Sequence, residues 1–186
     1  MNTVVTSREA ILEECRKIVM EQGISAVNMR SVAAACGVAV GSIYNYFPSK
    51  TDLIGAAVED VWKDIFHISG DFSVFDCFTD CLEWLFESIR KGCGKYPGFF
   101  TLHSMSFAAE DKASGRRMME QYFGHIKQNL KCVLGRDSNV RADAFHGGFT
   151  QDEFVDLIFI TLTSMLLQGS KRCGPLLEMA SRCIYQ

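Results

Sequence analysis

The side chains best placed to do chemistry in this sequence are hydrogen-bond donors gathered in one short stretch. Asn28, Arg30, Ser42, Tyr44, Asn45, Tyr46 and Lys50 can donate to phosphate oxygens or to the edges of bases. The same stretch has no carboxylate: residues 22–51 contain neither Asp nor Glu, and Arg30 and Lys50 carry its only charges. A carboxylate facing a phosphate would repel it, so an acid-free surface is what a polyanion requires. The chain as a whole is acidic, with 19 Lys and Arg against 22 Asp and Glu and a formal net charge of −3. Taken alone, that total argues against a nucleic-acid partner. Its distribution argues the other way, because residues 1–50 hold five basic and four acidic side chains and residues 51–186 hold 14 and 18.

Other chemistries have little to build on. His67, His103, His125 and His146 are widely separated, and no nucleophile elbow or metal-ligand spacing accompanies them, so no enzyme, metal or cofactor is expected. The eight cysteines show neither a CxxC pair nor zinc spacing. They read as small buried hydrophobes in a reducing cytoplasm. Cys77 and Cys81, four residues apart, would be neighbours on one helix face, which leaves a redox-responsive regulator as an alternative. The first apolar stretch is broken by Glu13, Glu14, Arg16 and Lys17, so no signal peptide is read. The densest apolar run, Leu157–Leu167, is 11 residues long, against the roughly 20 that a bilayer span needs.

These residues must be positioned by helices. The chain has 186 residues, enough for a core without disulfide or metal staples. With 48% apolar and 22% charged residues, disorder and collagen-like repeats are excluded. Only 3 prolines, together with apolar runs at helical spacing, predict an all-α chain of about nine helices. Thr6 with Glu9 predicts a capping box for a helix over 7–22 that ends at Gly23, and Asn28 caps a short helix over 29–36 that stops at Gly37. A second short helix over 42–47 ends before Pro48, and Ser49 with Asp52 opens a longer one reaching about Ser69. Beyond it, Ser73 is expected to cap a helix broken by Gly92, Gly94, Pro97 and Gly98. Helices over 99–109 and 112–134, a loose polar loop over 135–148, a helix over 151–168 opened by Thr150 and Glu153, and a last one over 175–184 complete the pattern.

Helix, Gly turn and second helix over residues 23–50 form a helix-turn-helix layout, whose second helix can lie in a major groove, although such a pair is also ordinary packing. Gly23-Ile24, Met29–Ala33, Cys36-Gly37-Val38 and the run Gly41–Lys50, with Tyr44-Asn45-Tyr46-Phe47-Pro48-Ser49-Lys50 at its centre, closely resemble the DNA-binding domain of the tetracycline-repressor (TetR) family. The resemblance covers about residues 7–55. It implies an all-helical homodimer: an N-terminal three-helix helix-turn-helix DNA-binding domain over 1–50 and a C-terminal helical bundle over 51–186 for ligand binding and dimerisation. Such a protein is a cytoplasmic transcriptional regulator, a repressor released from a palindromic double-stranded DNA operator by a small effector. A non-DNA-binding interaction module on the same fold is the alternative.

Carried onto this chain, the resemblance places DNA contacts at Asn28, Arg30, Val40, Gly41, Ser42, Tyr44, Asn45, Tyr46 and Lys50. Arg30 would reach a base edge or a phosphate, and the hydroxyls of Tyr44 and Tyr46 would donate to phosphates. Ile43 and Phe47 are expected in the core with Ile18 and Val32. Ala39 and Val40 stand where family members often have Ser and a polar or basic residue, which removes a cap and leaves Val40 to meet a thymine methyl. In the C-terminal half, Trp62, Phe66, Trp84, Phe100, His103, Phe107, Met119 and Tyr122 are read as core residues that would also line a pocket for a largely apolar effector. The helix from Gln151 is apolar on most sides, so it sits centrally in its own core or packs on a second copy. The dimer reading assigns Phe154, Ile158, Leu162, Met165, Leu166 and Leu177 to the interface.

Overall fold

Helix starts in this chain are set by side chains that take up otherwise orphaned backbone amides. The computed structural model describes residues 6–66, 72–99 and 112–186. Among them lie eight α-helices: α1 (Arg8–Gln22), α2 (Met29–Ala35), α3 (Val40–Tyr44), α4 (Lys50–Phe66), α5 (Phe78–Lys95), α6 (Lys112–Arg136), α7 (Gln151–Leu167) and α8 (Gly174–Ile184). The expected helix over 99–109 lies outside the described residues except for Phe99. The chain divides into two compact units, Met1–His67 with Gly92–Met119 and Ile68–Lys91 with Glu120–Gln186.

In the first unit, α1 is capped by Ser7, whose hydroxyl accepts the Ala10 amide at 3.1 Å. The expected cap at Thr6 is therefore one residue early: Thr6 is buried, and its carbonyl is engaged elsewhere. Asn28 caps α2 as expected, accepting the Arg30 and Ser31 amides at 3.0 Å, while the Ser31 hydroxyl takes the Asn28 amide. Gly37 turns the chain with φ +66, a left-handed conformation that a Cβ would strain. Ser49 accepts the Asp52 amide and starts α4. Ile11, Cys15, Ile18 and Val19 of α1 are buried with Val32, Ile43 and Phe47 and with Leu53, Ala57, Val61 and Trp62 of α4.

The last turn of α5 belongs to this unit and corrects a reading of the glycines. Gly92 and Gly94 do not break the helix, which runs to Lys95. At Gly92 a Cβ would come within 2.6 Å of the Ile65 side chain, so the glycine is there to let α5 approach α4 closely. Beside this contact the Asp64 carboxylate accepts from Lys95 Nζ at 2.5 Å and from the Tyr96 hydroxyl at 2.7 Å. On the same helix, Asp60 pairs with Arg16 of α1 at 2.8 Å.

In the second unit, α5 starts later than expected. Residues Phe72–Val74 form a 3-10 turn, and Ser73 does not cap the helix. The cap comes from far along the chain: Asp137, 5% exposed, accepts the Phe78 amide at 2.8 Å through Oδ2. The Tyr185 hydroxyl donates to the same oxygen, and Asn139 donates to Oδ1 from its amide and side chain. The Arg141 amide donates to the Ile184 carbonyl and its guanidinium to the Cys183 carbonyl. Residues 137–141, expected in a loose loop, are thus pinned to the end of the chain at residues 183–185. Thr150 and Glu153 form the expected capping box of α7. Lys127–Asp156 and Lys131–Asp152 ion pairs join α6 to α7.

Burial pushes the Asp137 carboxyl up, but the hydrogen bonds from Tyr185, Phe78 and Asn139 outweigh it and hold the pKa below the ordinary aspartate value. With the folded pKa below the unfolded one, the stabilisation is complete above the unfolded value and is lost as pH falls through the folded one. Asp137→Ala leaves buried donors without an acceptor and is expected to cost about 2–4 kcal/mol at neutral pH. In urea unfolding, the gap between wild type and variant should narrow as pH falls below about 4. A gap independent of pH would contradict the charged cap.

Candidate nucleic-acid interface

α3 has five residues and no side-chain cap, since Ala39 offers none. Its buried side is Ile43, fully enclosed, followed by Phe47 at 1% exposure. On the open side stand Val40, Gly41, Tyr44 and Asn45, with Tyr44 50% exposed. Positions 40, 41 and 44 share one face of a helical turn, away from Ile43. Ser42 is half-buried, and Arg30 and Lys50 are exposed. The structure thus brings Val40, Gly41, Tyr44 and Asn45 together on a face that displays amide, phenol and small apolar groups, flanked in the chain by two cations. Such a face can meet base edges, methyls and phosphates.

Two of the expected contact residues have other work. The Asn28 side-chain oxygen is occupied by the Arg30 and Ser31 amides, and its nitrogen donates to the Ala26 carbonyl at 3.1 Å. Asn28 therefore fixes the start of α2, and of its side-chain groups only the second N–H is left over. The Tyr46 hydroxyl donates its single proton to the Thr6 carbonyl at 2.6 Å, so it cannot also donate to a phosphate. Instead it ties the entry of α1 to the end of α3. A residue absent from the sequence-based set is Arg8, whose guanidinium carbon lies 4.5 Å from the centre of the Phe47 ring and whose Nη1 donates to the Tyr46 carbonyl at 3.5 Å. The available signal is a cation in the first turn of a helix, where the dipole disfavours it.

The two described tryptophans of the set expected to line an effector pocket fall in different places. Trp62 is fully buried in the first unit with the Phe99 ring edge-on at 5.5 Å. Trp84 is half-buried in the second unit against Phe72 and Phe75, at 5.4 and 5.2 Å. The side chains of Phe66, Phe100, His103, Phe107, Met119 and Tyr122 lie outside the described residues. Of the residues expected at a dimer interface, Phe154, Ile158, Leu162 and Leu166 are buried within the chain itself, all at most 8% exposed, whereas Met165 and Leu177 are half-buried. The open apolar groups of the last two helices are Leu157, Ile160, Leu167 and Met179.

The cysteines are all free. Cys77 precedes α5 and meets the Thr79 and Tyr185 hydroxyls, whereas burial pushes the Cys81 thiol up to about 12, which keeps it protonated and unreactive. That is a poor redox pair. Among the described residues no three His, Cys, Asp or Glu side chains gather to hold a metal, and no helix is long and apolar enough to cross a membrane.

Comparison with known proteins places this geometry. The family described as bacterial regulatory proteins, tetR family, matches residues 11–57. The HTH-type transcriptional repressor KstR of Mycobacterium tuberculosis is 38% identical over 73 residues, which is 39% of this chain and 29% of the relative. KstR of Mycolicibacterium smegmatis is 45% identical over 51 residues, 27% of this chain and 25% of that protein. The chain therefore matches less than a third of the length of these curated relatives. Solved structures resemble it over nearly its whole length. The transcriptional regulator FadR from Bacillus subtilis, in complex with stearoyl-CoA, has a TM-score of 0.61 at 14% identity, covering 95% of each chain. The TetR family transcriptional regulator PfmR from Thermus thermophilus has a TM-score of 0.55 at 17% identity, covering 98% of this chain and 97% of its own. At such identities the likeness is one of fold. Residues 11–57, which hold the helix-turn-helix, therefore carry the sequence signature of the tetR family, and the chain shares the fold of a solved TetR family regulator.

Proposed function

We propose that the protein is a ligand-responsive transcriptional repressor that binds a palindromic DNA operator as a homodimer and is released by a small, largely apolar effector. The observation that carries this reading is the open face of α3, Val40, Gly41, Tyr44 and Asn45, set in a stretch without carboxylates. The relatives matched over the same stretch are repressors by name. The stearoyl-CoA bound by one fold neighbour supports an effector with a long apolar portion.

Each monomer offers one small docking face of modest charge, so affinity requires two faces engaging at once. For both to enter the major groove on one side of the duplex, the α3 helices must sit about one helical turn apart, ~34 Å. The second copy is best received on the open stripe of α7, where Leu157, Ile160 and Leu167 recur at helical spacing, with Met179 of α8. An effector acts by stabilising a different spacing, and lowers DNA affinity only by its differential binding to the two states. α4 is the lever. It holds the end of α5 through Asp64 and Ile65, and holds α1 through Asp60 and Arg16.

In fluorescence-anisotropy titrations with an operator selected from random duplexes, Tyr44→Ala and Lys50→Ala are each expected to weaken binding about tenfold, corresponding to ~1.4 kcal/mol, without changing thermal unfolding. Tyr46→Phe should instead lower stability by about 1 kcal/mol. Wild-type affinity in both Tyr44 and Lys50 variants would move the docking face elsewhere. Ile160→Asp is expected to yield a folded monomer in analytical ultracentrifugation with operator binding largely lost; a dimer of unchanged strength would exclude the α7 stripe. A chain-length series of acyl-CoA thioesters should dissociate the operator complex more effectively as the acyl chain lengthens. A flat response would rule out this effector class.

A further inference from the structure

A cation outside the helix-turn-helix stands at the end of α3. Arg8 opens α1, at the positive end of that helix's dipole, where a guanidinium gains nothing from its own helix. What holds it is the neighbouring segment. The guanidinium carbon lies 4.5 Å from the centre of the Phe47 ring, and one N–H reaches the Tyr46 carbonyl at 3.5 Å. The platform beneath it is rigid, because Phe47 is 1% exposed and locked in the core. The backbone beside it is pegged as well, by the Tyr46 hydroxyl bonded to the Thr6 carbonyl. Arg8 itself is exposed, and among the described residues it has no ion-pair partner. The adjacent Glu9 carboxylate is taken up by a backbone amide of its own turn and by Ser7.

A guanidinium carries five N–H donors in a planar fork, and the Tyr46 carbonyl uses one. The remaining donors are held over a fixed aromatic ring, next to Tyr46 and three residues of chain before Lys50. Pre-ordering of this kind removes much of the rotamer entropy that an arginine ordinarily loses on binding an anion. We propose that Arg8 is an additional DNA-backbone contact of this protein, a phosphate anchor that Phe47 holds at the Tyr46 end of α3. This inference rests on the DNA-binding reading above. It contributes positioning and affinity without sequence preference, since a phosphate contact carries no base information.

The test is the salt dependence of binding by the full-length chain to a random-sequence duplex and to the selected operator. Each phosphate neutralised contributes about 0.9 to the slope of log K against log salt concentration. Arg8→Gln is expected to reduce that slope by about 0.9 per subunit on both duplexes, which between 200 and 50 mM salt is about a 3.5-fold smaller gain in affinity per subunit. Arg8→Lys keeps the charge and should keep the slope, with weaker binding from the lost fork. Identical slopes for wild type and Arg8→Gln overturn the anchor even if the variant melts at a lower temperature, since a purely structural contact alters stability and not counterion release. Wild-type protein that shows no salt-dependent binding to any duplex would instead overturn the DNA-binding reading, and this inference with it.

Discussion

A helix of five residues has no stability of its own, because nucleating a turn costs more than its few hydrogen bonds return. α3 exists because it packs on α2 and because Ile43 and, just beyond it, Phe47 are buried, each removal from water contributing on the order of 1.5–3 kcal/mol. Everything asked of the N-terminal unit follows from that burial. Once Ile43 points inward, Val40, Gly41 and Tyr44 must point outward, and the face cannot rotate without exposing the core. Two polar contacts finish the arrangement. The Tyr46 hydroxyl holds the entry of α1, and Arg8 covers the Phe47 ring. Side chains on an otherwise marginal helix thereby gain the positional precision of a packed domain.

The same unit ties α4 to its neighbours by polar contacts. α4 is buried along Leu53, Ala57, Val61 and Trp62, yet its partly open side carries Asp60 and Asp64, one paired with α1 and the other with the end of α5. Tyr96 is fully buried with its hydroxyl on Asp64, which together with burial raises the phenol pKa and keeps it a donor at any physiological pH. Gly92 against Ile65 leaves no slack at this crossing. The 92–99 segment is therefore closely coupled to α4, and α4 through Asp60 and Arg16 to α1.

Local signals are legible in the sequence and long-range ones are not. Asn28, Ser49 with Asp52, Thr150 with Glu153, Gly23 and Gly37 each act within four residues, and their roles follow from chemistry visible in a short window. Ser73 fails as a cap because the amide of Phe78 is satisfied by Asp137, 59 residues away, which no local pattern reveals. Gly92 reads as a breaker because the sequence does not show the Ile65 side chain that needs the space. Which side of α7 is internal is not legible for a related reason. A helix apolar on most sides has no stripe to choose, and only the packing of Phe154 among Phe78, Phe145 and Phe149 decides which side is internal. At the docking face, residue types are legible because they follow from the short-range motif, whereas the diversion of Tyr46 to Thr6 depends on a contact 40 residues apart.

In the proposed function, two copies of the α3 face read one duplex together. Hydroxyl-radical footprinting of the wild-type protein on its selected operator tests it most directly. Two protected patches are expected on one side of the duplex, centred about one helical turn apart and related by the symmetry of an inverted repeat. A single patch, or uniform protection without symmetry, would contradict it.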